Sequence, residues 1–395
     1  MKEHIEKAEW LVAETHKNGG LAPLDVEKFW KDQDEAIKDP FSTEIKQLPL
    51  NVFNSTELVF DELGIPEDFW KYQNDEAWRL SLNKSFNDKA EKIVGRRLLS
   101  EKTSPPTEDC YPATKGLHDV FEAKNIWHDG SWWLQQSANT EDELKVLLDR
   151  VENRDIRKFI LPEGWDEAKA RLLPRGIKPN LYRGQRGPCT FATSVYGAEN
   201  MIFLTLDNPE LAGRFRDAIL RTMLKIGRVL DEEAGYNKDN YPHGFGFADD
   251  NCCLFNPEMY ELFGYPILKG IFDYYSPNPG DSRYQHSDSA MAHLLPFFEK
   301  LGMTGVNFGP TLTVSEIRRY CPEAVIHGQL APFTFSRNEE VNMVCELLRD
   351  FEQAKEKRGL SFSAAGSINN GSRLTGMRLL MAAAQLWCRY EVRIQ

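Results

Sequence analysis

The sequence of 395 residues predicts an α/β chain folded as a (β/α)8 TIM barrel, preceded by an elaborated N-terminal region. Three observations carry that expectation. From about residue 175 short apolar segments alternate with long amphipathic ones, as parallel strands joined by crossover helices do. With candidate strands near residues 50 and 95 the units number about eight, which suits a closed barrel. An open doubly wound sheet usually carries a glycine-rich phosphate loop, and neither GxGxxG nor a P-loop occurs. The chain is read as one domain, 1–170 holding the elaboration and first units and 175–395 the regular units with the site.

In the first half, MKEHIEKAEWLVAETHKNGG reads as a helix stopped by Gly19-Gly20, and LDVEKFWKDQDEAIKDPF as another, with Pro40 marking its end or the linker beyond. QLPLNVF (47–53) and EKIVGRRLL (91–99) are candidate strands on either side of ELGIPEDFWKYQNDEAWRLSL, which reads as helix and loop. The polar, proline-bearing 100–109 segment is the linker candidate. NIWHDGSWWLQ alternates like a hairpin turning at Asp129-Gly130, and Thr140 caps an amphipathic helix over 140–151. An extended segment in RGIKPNLYRGQRGP leads to a long helix opened by Asn208 and Pro209. Strands HGFGFAD, SRYQH, TGVNF, AVIHG and LSFSA follow, each trailed by a helical run.

Composition narrows the class. An apolar fraction of 41% is enough for a sizeable core. A net charge of −12 argues against nucleic-acid binding, which needs an excess of Lys and Arg. No run of about 18 apolar residues predicts a membrane span. The N-terminus lacks the apolar core of a signal peptide, and seven cysteines without a CxxC read as free thiols, so a cytoplasmic location is expected.

Chemistry-bearing residues sit at the strand ends: Asp250, His286, Asn307, Gln329 and Ser363. Consecutive strand residues face opposite ways, so one of Asp249 and Asp250 faces the mouth, where a carboxylate can accept a proton or bind a metal. The other reading has both capping the next helix or pairing with arginine. His286 and Asp288 form an H-x-D pair able to ligate zinc or iron, or to serve as an acid–base couple. Cys252 and Cys253 either complete such a site or are buried apolar residues. His327, inside an apolar strand, reads as a satisfied interior histidine. Arg175, Lys178, Arg183 and Arg186, with Tyr182 among them, form a basic cluster suited to a carboxylate or phosphate, or plain surface charge. The 364–373 loop, AAGSINNGSR, offers backbone N–H groups to an anion, or is a connector. No Gly-x-Ser-x-Gly elbow, Walker motif or HExxH occurs, which disfavours hydrolase, nucleotidase and metalloprotease readings.

The order of segments over roughly 180–390 resembles the uroporphyrinogen decarboxylase superfamily, including its cobalamin-dependent methyltransferases. RGPCTFATSVYG resembles its GPWTLA-type segment, FADDNCCLFNPEMYELFGYPILKGI its fourth-strand region and HSD at 286–288 its HxC or HSDG segment. VIHGQLAPFTF resembles its GNLDP-type seventh strand, and LSFSAAGSINNGSRLTGMRLLMAAA its last loop and helix. Two positions depart from the zinc enzymes of that family: Asp288 and Gly366 stand where they carry cysteines. The arginine-bearing MRQAGRY-like opening of the decarboxylase proper is also missing. The resemblance implies a uroporphyrinogen decarboxylase-like barrel moving a methyl group between a corrinoid, free or on a carrier protein, and a small substrate. In that picture Asp250, His286 and Asp288 are catalytic, and Tyr182, Arg183, Arg186, Asn307 and Gln329 line the substrate. His286 and Asp288 are the candidate ligands of a divalent metal such as zinc. The alternatives are a decarboxylase of an acidic tetrapyrrole or aromatic substrate and a barrel that binds a tetrapyrrole or corrinoid without turnover.

Overall fold

A computed structural model describes residues 2–51 and 56–390. They fall into two compact units, one of Ser104–Thr304 and one of Met1–Thr103 with Gly305–Gln395. The boundary at Thr103 and Ser104 falls inside the proline-bearing loop.

The Ser104–Thr304 unit opens with an antiparallel hairpin of β1 (Asn125–His128) and β2 (Ser131–Leu134). Asp129 and Gly130 both have positive φ, 47° and 74°, the backbone a two-residue hairpin turn needs. Three parallel strands follow, β3 (Gly184–Arg186), β4 (Phe245–Ala248) and β5 (Arg283–Ser287). The long crossover helix Pro209–Glu233 starts where Asn208 accepts the Leu211 N–H at 3.2 Å. It buries Leu211, Phe215, Ile219, Met223, Ile226 and Leu230, the predicted face. The second crossover is two helices, Pro257–Leu262 and Gly264–Tyr275. Phe245 and Phe247 of β4 pack on its Tyr275 and Phe272 with ring centroids 5.7 Å apart. Each such buried ring contributes about 2–3 kcal/mol, so the odd-numbered positions of β4 are committed to the helices.

The other unit carries the parallel strands β6 (Gly305–Phe308), β7 (Val325–Leu330) and β8 (Leu360–Ala364). Thr313 and Glu316 form a capping box that opens the helix Val314–Tyr320. The helices Glu340–Ala354 and Leu374–Trp387 follow β7 and β8.

Two expected strands are corrected. Residues 91–94 end the helix Glu76–Val94, which buries Phe86, Ala90 and Val94 at a spacing of four. Asp75 caps its start and Gly95, at φ 76°, stops it. In the 47–53 segment only isolated bridges form, Gln47 antiparallel to Arg389 and Leu50 parallel to Phe362; residues 52 and 53 lie outside the described residues. Parallel strands among the described residues thus number six, three in each unit, and the eighth-strand closure of a barrel is not seen among them. No helix among the described residues is long and apolar enough to cross a membrane.

Candidate active site at the carboxyl ends of β4 and β5

Strand alternation decides which aspartate faces what. Phe245, Phe247 and Asp249 point toward the helices, and Ala248 and Asp250 toward the opposite face. Asp249 is fully buried and accepts the Thr190 N–H at 2.7 Å and, more weakly, the Cys189 N–H at 3.4 Å. These are free donors in the first turn of the helix Pro188–Tyr196, so Asp249 caps a helix that its own sequence neighbours do not. Gly187 makes room for it: a Cβ there would lie 2.1 Å from that of Asp249. Burial pushes the Asp249 carboxyl up, from the ordinary 3.8 to about 6, against the pull of its amide partners.

Asp250 turns to β5. Its Oδ1 accepts the Asp288 N–H at 3.0 Å and lies 3.7 Å from His286 Nε2. Ser289 Oγ donates to the Asp250 carbonyl at 2.6 Å and pairs with Ser287 Oγ at 2.9 Å, tying the two strand ends together. A ligand atom of Asp250, one of His286 and one of Asp288 all lie within 4.8 Å of one another. Burial, and then the negative charge of Asp250, push the Asp288 carboxyl up. Two carboxylates flanking an imidazole can pass a proton or hold a divalent ion by three protein ligands, leaving positions open. The donor set is nitrogen and oxygen only. Cys252 is buried against Ser287 Oγ at 3.6 Å, and burial pushes its thiol well up, so it stays a neutral thiol; neither it nor Cys253 joins the cluster.

The other predicted residues have distinct settings. Arg186 ends β3 in register with Ala248, which is in register with His286. Arg183 instead pairs with Asp231 at 2.5 Å, donates to the Pro242 carbonyl and lies 4.2 Å over the Tyr275 ring. Tyr182 accepts from Gln185 at 2.5 Å and packs edge-on to Phe245. Both sit at the amino end of β3, away from the cluster. Arg175 pairs with Asp109, and Lys178 covers the Tyr236 ring, so the basic cluster is dispersed.

Asn307 and Gln329 belong to the other unit. The Asn307 amide donates to the carbonyls of His327 and Ala364, tying β6 to β7 and β8. Gln329 donates to the carbonyls of Gly309 and Leu312 at 3.1 and 2.8 Å. Burial holds the His327 imidazole below its usual range, hence neutral. In the 364–373 loop the Gly371 N–H reaches Asp61 at 2.5 Å, and just beyond it the Leu374 N–H, opening the last helix, reaches Glu62 at 2.6 Å. That Asp249 caps the earlier helix Pro188–Tyr196 and not the next one, and that serines tie Asp250, were not foreseen; the aromatic residues at 245 and 247 were the available signal for the buried side of Asp249.

No family model and no curated protein matches the chain. A solved structure of a methyltransferase from Methanosarcina mazei matches with a TM-score of 0.52 at 13% identity, over 86% of this chain and 94% of that one. The two chains share a fold.

Proposed function

We propose that the chain is a methyltransferase whose reacting end is Asp250, His286 and Asp288. The methyl group passes between a corrinoid, taken as substrate from a carrier protein, and a small acceptor. The observation that carries the reading is the convergence of these three side chains at the ends of β4 and β5, and the fold shared with a methyltransferase supports it. As the lone pair of a thiol or amine acceptor attacks the methyl carbon, the bond from that carbon to the corrinoid breaks, its electron pair stays on the corrinoid, and the acceptor gives up a proton. Asp250 and His286, 3.7 Å apart, both stand where that proton can be taken up, and Asp288, whose carboxyl is pushed up, holds it readily. Asp250, His286 and Asp288 also fit a divalent ion such as zinc, which would supply Lewis-acid activation of the acceptor.

The test is the absorbance change of methylcobalamin mixed with the protein and a panel of thiols and amines. Wild type is expected to demethylate it with at least one acceptor. Asp250→Asn and His286→Ala are expected to slow the reaction by about 100-fold or more. No conversion by wild type with any acceptor, or equal rates in all three proteins, rejects the reading.

A further inference from the structure

Arg186, Ala248 and His286 stand in register across β3, β4 and β5. Residues in register on parallel neighbours present their side chains on one face. This is the face opposite Phe245 and Phe247, which belong to the helices. Ala248 is exposed although its strand is paired on both sides. Its methyl group is therefore the floor of an open slot, with Arg186 along one side and His286 along the other. One row toward the amino end, Gly184 and Gly246 carry no side chain, and Tyr284 leans into that space; a Cβ on Gly246 would meet it at 3.4 Å. The slot is thus closed below by a ring and open above Ala248.

The three arginines on these strands and their approach differ in what they hold. Arg183 is spent on Asp231 and two carbonyls. Arg283 is spent on the carbonyls of Ser276 and Leu301. Arg186 has one long contact from its guanidinium, 3.4 Å to Ser194 Oγ, and no ion pair among the described residues. It is half-buried, so its charge is only partly hydrated and gains from a counter-ion.

The geometry points to a small monocarboxylate as the ligand of this slot. Its carboxylate takes the fork of Arg186, and its other end lies over Ala248 against His286. Two strand spacings separate the Cα atoms of Arg186 and His286, roughly 10 Å, and the two side chains shorten that gap to the length of a small molecule. Asp250 and Asp288 flank the far end, so a ligand with negative charge at both ends, or a compact dianion such as phosphate, is repelled there. The identity of the far end as the reacting atom rests on the methyl-transfer reading; the carboxylate site does not.

The test is calorimetric titration of the full chain with acetate, butyrate and benzoate, with the matching neutral amides, and with inorganic phosphate. At least one carboxylate is expected to bind wild type about tenfold or more tighter than its amide, a difference of about 1.4 kcal/mol, and tighter than phosphate. Arg186→Gln removes that preference and Arg186→Lys keeps part of it. Carboxylates no tighter than their amides, no binding at millimolar concentration, or an unchanged preference in Arg186→Gln overturns the proposal. Arg186-dependent binding in a protein inert toward methylcobalamin leaves the carboxylate site standing and removes the reaction.

Discussion

Asp249→Asn separates the charge of Asp249 from its role as a cap. The amide oxygen of asparagine still accepts the Thr190 N–H that Asp249 holds at 2.7 Å, so the helix Pro188–Tyr196 keeps its cap. What disappears is the cost of ionising a fully buried carboxyl, whose pKa burial raises from 3.8 to about 6. Between those values the folded chain holds the proton and the unfolded chain releases it. Wild-type stability therefore falls as pH rises through about 6 relative to a variant that cannot ionise, by about 3 kcal/mol in full. Below the unfolded value the two proteins differ little. Urea unfolding of both proteins at pH 4.5 and pH 8 measures this directly, because every other titration is common to the pair. The expected result is Asp249→Asn gaining on wild type by about 2 kcal/mol between the two pH values, about 1 kcal/mol having already been lost by pH 4.5. An equal difference at both refutes the assignment of Asp249 as a buried carboxyl. Asp249→Ala, which lacks the acceptor, loses about 1–2 kcal/mol of cap at either pH.

Gly187→Ala places a Cβ 2.1 Å from that of Asp249, and thermal unfolding is expected to show a loss of about 2–3 kcal/mol. Asn307→Ala strips hydrogen bonds from the buried carbonyls of His327 and Ala364; chemical denaturation is expected to show a loss of about 2–4 kcal/mol. Glu62→Ala removes the acceptor of the Leu374 N–H and the partner of Lys89 at 2.6 Å, so the last helix is expected to fray, read as faster amide exchange at 374–377.

The alternation of strand and helix was legible partly because some of the crossover helices carry their own start signal. Asn208 before Pro209 and the Thr313–Glu316 box are local signals that tertiary structure did not need to override. The 91–99 segment misled because Ile93 and Val94 look like strand, while the signal that governs them is the four-residue spacing of Phe86, Ala90 and Val94 and the stop at Gly95. Asp250, His286 and Asp288 were legible as strand-end residues, but their convergence depends on β4 and β5 being neighbours in register. The choice between Asp249 and Asp250 was latent in the sequence: phenylalanines at 245 and 247 fix the buried face, and 249 shares their parity. The fate of the arginines was not legible, because Asp231 lies 48 residues beyond Arg183 and only the fold brings them together. The same holds for the 364–373 loop and the start of the last helix just beyond it, which meet Asp61 and Glu62 from the far end of the chain.

The central claim is that Asp250, His286 and Asp288 act as one site. Zinc content after equilibration and gel filtration tests it most directly, in wild type and in Asp250→Asn, His286→Ala and Asp288→Asn. The account predicts about one ion per wild-type chain and a loss of affinity of about tenfold or more in each variant. Equal zinc in all four proteins contradicts it.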